Sequence, residues 1–211
     1  MGQIDTYVGE IPGATGFNSG EIRTSITGEQ VVGDAHARFY EAVRLGNCYG
    51  VAAQAGVTSQ AGLSATTPVL SLYNPIGSGV NAVLWYAAVT QSVAPAAAMV
   101  VWLGVNAPAT TAATGTLTTA HRNLLLGAGL GNKVTPLLAA TLPAAPVGLT
   151  VLGVGFAAAL TVNNQQNPIG GWLDGSIVIG PGTAVSFQTS TASGTSGLFG
   201  EFKWEEAVIR S

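Results

Sequence analysis

The sequence predicts an all-β protein, a jelly-roll-like β-sandwich with an extended N-terminal arm. Three observations carry this. Strand-like runs rich in Val, Ile, Trp and Tyr recur roughly every ten to fifteen residues from about residue 66 onward. Turn chemistry separates them, including Asn74-Pro75, Asp174-Gly175 and Pro181-Gly182. No long stretch carries a convincing helical period. At 211 residues the chain fits one substantial core.

Taken in order, residues 1–33 form the arm. They are Gly-, Thr- and Glu-rich, contain Pro12-Gly13 and Gly16 to Gly20, and show weak periodicity. Residues 34–211 form the sandwich domain. Its first segment, 34–46, fits two patterns. Asp34 could cap a short helix with Ala35, Phe39 and Val43 on one face and Gly46 as its stop. A strand would set Phe39, Val43 and Leu45 against Tyr40, Ala42 and Arg44, and the β character of the remaining chain favours the strand.

Residues 69–73 are an apolar run stopped by Asn74-Pro75 and Gly77-Ser78-Gly79. Runs 82–90 and 98–105 follow, parted by Ser92, Val93, Ala94 and Pro95. Residues 110–119 are a Thr/Ala/Gly strand candidate, and Leu124 to Leu126 precede the cluster Gly127, Gly129 and Gly131. Residues 142–160 are uncharged and about as long as a spanning helix. Pro143, Pro146, Gly148, Gly153 and Gly155 interrupt them and no Lys or Arg flanks them, so two short strands with a Gly-containing bend are expected instead.

Run 149–156 leads to a polar loop, 163–167, closed by Pro168. Trp172-Leu173, 177–179 and 185–189 are short apolar runs, with Asp174-Gly175 and Pro181-Gly182 between them as hairpin signals. Residues 190–197 read as a loop and 199–209 as the closing strand. Along that strand Glu201, Lys203 and Glu205 alternate with Phe202, Trp204 and Glu206, which predicts one charged and one aromatic face. Glu206 falls on the aromatic face, where an unpaired carboxylate is costly. Either it reaches water at the strand end or it meets a donor across a subunit boundary.

Charge is scarce and uneven. Charged residues make up 8% of the chain, against roughly 25% in an ordinary soluble domain. Residues 1–44 hold nine of the seventeen and residues 201–211 hold five; the 156 residues between carry only Arg122, Lys133 and Asp174. A monomer exposing that middle region has little charge to oppose association, which predicts a homo-oligomer or a subunit of a larger shell. The net charge of −3 argues against nucleic acid as a partner, because phosphate binding needs a basic stripe. No membrane partner is expected either.

Candidate chemistry is thin. Cys48 is the one cysteine, expected as a small buried hydrophobe rather than a reactive thiol. No signal peptide is expected at the start; Met1-Gly2-Gln3-Ile4-Asp5-Thr6 fits a loose myristoylation pattern without a basic segment beside it. His36 and His121 stand 85 residues apart and are expected at the surface or in turns, with no cluster at metal-ligand spacing. Asp174, the lone carboxylate of the middle region, sits in a turn dipeptide and offers no carboxylate pair. Gly127-Ala128-Gly129-Leu130-Gly131 lacks the spacing of a dinucleotide or phosphate loop and is expected as a turn. Trp85, Trp102, Trp172 and Trp204 lie in or beside apolar strand text, which favours core or interface packing over sugar stacking. No catalytic residue, metal or cofactor is expected, and the chain is not expected to be an enzyme.

Three stretches carry a resemblance: Leu70-Ser71-Leu72-Tyr73-Asn74-Pro75 with Gly77-Ser78-Gly79; Asp174-Gly175 with Pro181-Gly182 after Ile179; and Phe202-Lys203-Trp204-Glu205-Glu206. As a set, covering about a third of the chain, the arrangement resembles β-rich virion surface proteins of tailed bacteriophages, in particular capsid decoration (cement) proteins. The resemblance implies a jelly-roll-like subunit, trimeric, seated on the capsid and clamping neighbouring copies of the major capsid protein. The arm would then reach the capsid or a neighbouring subunit. The alternative is the receptor-binding head of a tail fibre or spike, which an aromatic cluster beside residues 163–172 would favour.

Overall fold

A computed structural model describes residues 39–118, 121–155 and 168–209. The chain divides between Tyr40 and Glu41, and the second unit, Glu41–Ser211, holds both sheets. The expected arm, 1–33, and the boundary at 33/34 lie outside the described residues.

The elements in order are α1 (Tyr40–Arg44), β1 (Cys48–Ala52), β2 (Ser71–Tyr73), β3 (Val80–Gln91), β4 (Met99–Asn106), β5 (Thr114–Leu117), β6 (Arg122–Asn123), β7 (Thr135–Thr141), β8 (Val147–Gly155), β9 (Ile169–Ile179), β10 (Ala184–Thr189) and β11 (Leu198–Val208). One sheet has the order β6-β1-β11-β3-β9 and the other β5-β7-β2-β10-β4-β8. Every pair of neighbouring named strands is antiparallel. Without the inserted β5, β6 and β7, the sheets reduce to β1-β11-β3-β9 and β2-β10-β4-β8. The chain crosses between them at each of these steps except β4 to β8, which is the winding of a jelly roll. The predicted fold class is therefore the one observed.

The core lies between the sheets and follows from the alternation of each strand. Val80, Ala82 and Leu84 of β3 and Phe202 and Trp204 of β11 point inward from one sheet. Met99, Val101 and Leu103 of β4 and Val185 and Phe187 of β10 point inward from the other. Phe187 and Phe202 stack across the interior at 4.3 Å, and Tyr49 stacks on Trp204 at 5.7 Å. A second small cluster, Tyr73, Ala113, Leu137, Ala140, Leu142 and Ala184 with Ala65 against it, covers the outer face of the six-stranded sheet.

Three local expectations are corrected. Residues 40–44 are helical, not a strand. The helix ends as its alternative reading required, with Gly46 at a φ of 75° donating its N–H to the Val43 carbonyl. Residues 147–155 are one strand, β8, and not two with a bend. Gly148, Gly153 and Gly155 pair with β4, and the strand instead slips register at Leu152 and Leu149, opposite Val101/Trp102 and Leu103/Gly104.

The third correction concerns Asp174-Gly175, which makes no hairpin. β9 runs straight through it, and both residues are left-handed (φ 52° and 77°). Leu84 pairs with Ile177 and Tyr86 with Trp172, so residues 173–176 bulge opposite Trp85. Pro181-Gly182 is a turn, but it joins β9 to β10 across the sandwich and not within one sheet. Before the glycine cluster, Leu124 to Leu126 follow β6 into a turn.

Asn74 ties the turns at one end together. Its Nδ2 donates to the carbonyls of Val80 and Ile179, both at 2.8 Å, while its backbone pairs with Gly182 and Thr183. Two of the stretches that carry the resemblance therefore meet at this one buried side chain.

Candidate interaction surfaces

Among the described residues, no three His, Cys, Asp or Glu side chains gather where a metal could sit. The groups singled out in the sequence take structural places. Cys48 is buried in β1, and burial, aided by the nearby Glu205 charge, pushes its thiol from 9.0 up to about 12. A thiol so raised is a poor nucleophile. Burial likewise raises Tyr49, with Glu206 and then Cys48 adding to the shift.

His121 immediately precedes β6 and is buried, not at the surface or in a turn as expected. Its Nδ1 lies 2.6 Å from the Thr118 carbonyl and its Nε2 3.1 Å from Asn132 Oδ1. His36 lies outside the described residues. The segment after β6 is held down by Asn123, whose Oδ1 accepts from the Leu125 N–H and whose Nδ2 donates to the Gly46 carbonyl.

Glu206 needs neither water nor a neighbouring subunit. Its carboxylate accepts the backbone N–H of Lys133 at 2.9 and 3.0 Å, that of Val134 at 2.9 Å and the Trp204 indole N–H at 3.3 Å. The partner is the segment entering β7, about seventy residues away in sequence, which alternation within β11 could not reveal.

Two surfaces stand out among the described residues. The first surface is β8, an edge strand of the six-stranded sheet. Val147, Leu149 and Val151 are 69, 50 and 62% exposed, with exposed Val154 beyond them. Natural edge strands are usually guarded by charge or proline. β8 carries no charged residue, and none occurs between Lys133 and Asp174.

The second surface is the outer face of the five-stranded sheet. Register sets Gly50, Lys203, Tyr86 and Trp172 side by side on β1, β11, β3 and β9. Trp172 is 57% exposed and meets Tyr86 edge-on at 5.3 Å between centroids. The Lys203 ammonium lies 4.9 Å from the Tyr86 ring centre, 5.9 Å from that of Trp172 and 3.0 Å from Glu201 Oε1. Trp204 and Trp85 are core residues and Trp102 is half-buried, but Trp172 stands outward.

Comparison with known proteins yields no match to a family model, a curated protein or a solved structure.

Proposed function

We propose that the protein is a non-enzymatic virion structural protein, a bacteriophage capsid decoration protein that stabilises the head through multivalent contacts with the major capsid protein. In this reading it is a homotrimer on the capsid surface, with neither nucleic acid nor membrane as a partner. The observation that carries the reading is β8. A jelly-roll subunit with an uncharged edge strand presenting a row of exposed Val and Leu is suited to burial against copies of itself. The resemblance of three sequence stretches to decoration proteins supplies the choice of lattice.

Imaging of intact particles tests it. Many icosahedrally arranged copies on the head are expected; a few copies confined to the tail tip would overturn the decoration reading.

A second reading, the receptor-binding head of a tail fibre or spike that binds host glycan or protein, is favoured by one observation. The Tyr86–Trp172 pair stands at the start of β9, beside residues 163–172, where an aromatic cluster was to be its mark.

A further inference from the structure

We infer that the subunits meet head to tail: the leucine turn that follows β6 in one copy seats on the β8 edge of the next. The inference deepens the first reading and rests on its homotrimer.

Symmetry sets the requirement. A β8 edge packed on β8 of another copy is a patch meeting itself, which a two-fold axis generates and which closes at two copies. A three-fold assembly instead needs β8 to meet a different surface of its neighbour. The apolar edge therefore calls for a second apolar patch elsewhere on the chain, and the residues after β6 supply one. Leu125, Leu126 and Leu130 are 39, 85 and 41% exposed, and Leu126 is the most exposed large apolar side chain among the described residues.

The turn is built to present them. Ala128 donates its N–H to the Leu125 carbonyl at 3.0 Å, and Asn123 Oδ1 accepts the Leu125 N–H at 2.8 Å. The neck is closed by His121 Nε2, 3.1 Å from Asn132 Oδ1, and the Leu124 N–H is tied to the Cys48 carbonyl of β1 at 2.8 Å. A tip fixed in this way loses little freedom on docking. It cannot cover β8 of its own copy. β8 packs beside β9, and β9 and β6 are the two opposite edges of the five-stranded sheet.

Charge selects the occupant. Exposed Arg122 and Lys133 flank the turn, and no charged residue lies between them. Asp174 is the one charged residue on β8 and its neighbour β9. The rim of the turn is thus basic and the β8–β9 edge acidic, and a second copy brings the two together.

The test is molar mass by light scattering on three chains and one mixture. Wild type is expected at three times the 21.2 kDa chain mass. Leu126→Lys, like Leu149→Lys with Val151→Lys, is expected at the single-chain mass. Mixed in equal amounts, the two variants restore one intact contact, turn to β8, and are expected at twice the chain mass. That rescue also shows that both are folded. Should either fail to fold by circular dichroism, the contact is read in Leu126→Cys with Leu149→Cys. A bismaleimide should link those chains at neutral pH, where buried Cys48 stays unreactive, and should link neither single variant. A Leu126→Lys chain that keeps the wild-type mass overturns the inference and gives the turn to another partner, the capsid protein included, while self-association through β8 stands. An unrescued mixture of folded variants, or a Leu149→Cys chain that cross-links to its own kind, overturns it equally. A wild-type chain at one or two copies overturns the homotrimer and the inference with it.

Discussion

Glu206 is the residue on which the closing strand depends most. A carboxylate among Trp204, Tyr49 and Val134 would be costly alone, yet two backbone N–H groups and an indole converge on it. Glu206→Ala strips an acceptor from two buried donors and a part-buried one and is expected to destabilise the fold by about 3 kcal/mol, with Glu206→Gln costing less, as read by chemical denaturation. The pH response is set next door. The folded chain holds the Cys48 proton up to about 12, whereas the unfolded chain releases it near 9.0. The stabilisation from this proton is therefore fully present below about pH 9, is lost as pH rises from there, and is gone near 12. Tyr49, shifted in the same direction, steepens the fall. Denaturation midpoints measured from neutral to alkaline pH should decline less steeply for Cys48→Ala than for wild type. In the native state Cys48 should resist alkylation at neutral pH and react once the protein is unfolded.

At the scale of elements, β9 shows what the sequence could and could not convey. Its apolar runs and its Asp-Gly pair are plain in the text, and the same pair that marks a hairpin elsewhere here makes a bulge. The difference lies in what faces the strand. β3 is long enough to pair with both halves of β9, so the chain continues instead of turning back. Gly170→Ala is expected to cost about 2–3 kcal/mol, because the new methyl would meet the Ala87 carbonyl and the β3–β9 pairing would have to give. Strands β3, β4, β10 and β11 were legible because each alternates cleanly or is richly β-branched. The short helix at 40–44 was not, since five residues hold little more than one turn of period. Of the two surfaces, the apolar one was foreshadowed by the long uncharged stretch. The aromatic row was hidden, because Tyr86, Trp172 and Lys203 come from three strands and only register brings them together.

At the scale of the whole molecule, the distribution of charge and the jelly-roll winding bear on the same point. The winding puts β8 at the end of one sheet, and the sequence leaves that edge without charge. Leu149→Lys with Val151→Lys places two ammonium groups on β8. In a single subunit they stay in water and the fold should survive; in an interface they would be buried without partners. Such a pair of charges should separate the subunits. The most direct measurement is the molar mass in solution by light scattering, made on the wild-type chain and on this double variant. Self-association through β8 predicts three times the 21.2 kDa chain mass for wild type and the single-chain mass for the variant. A wild-type chain that stays at 21.2 kDa and remains soluble, or a variant that keeps the wild-type mass, would contradict it.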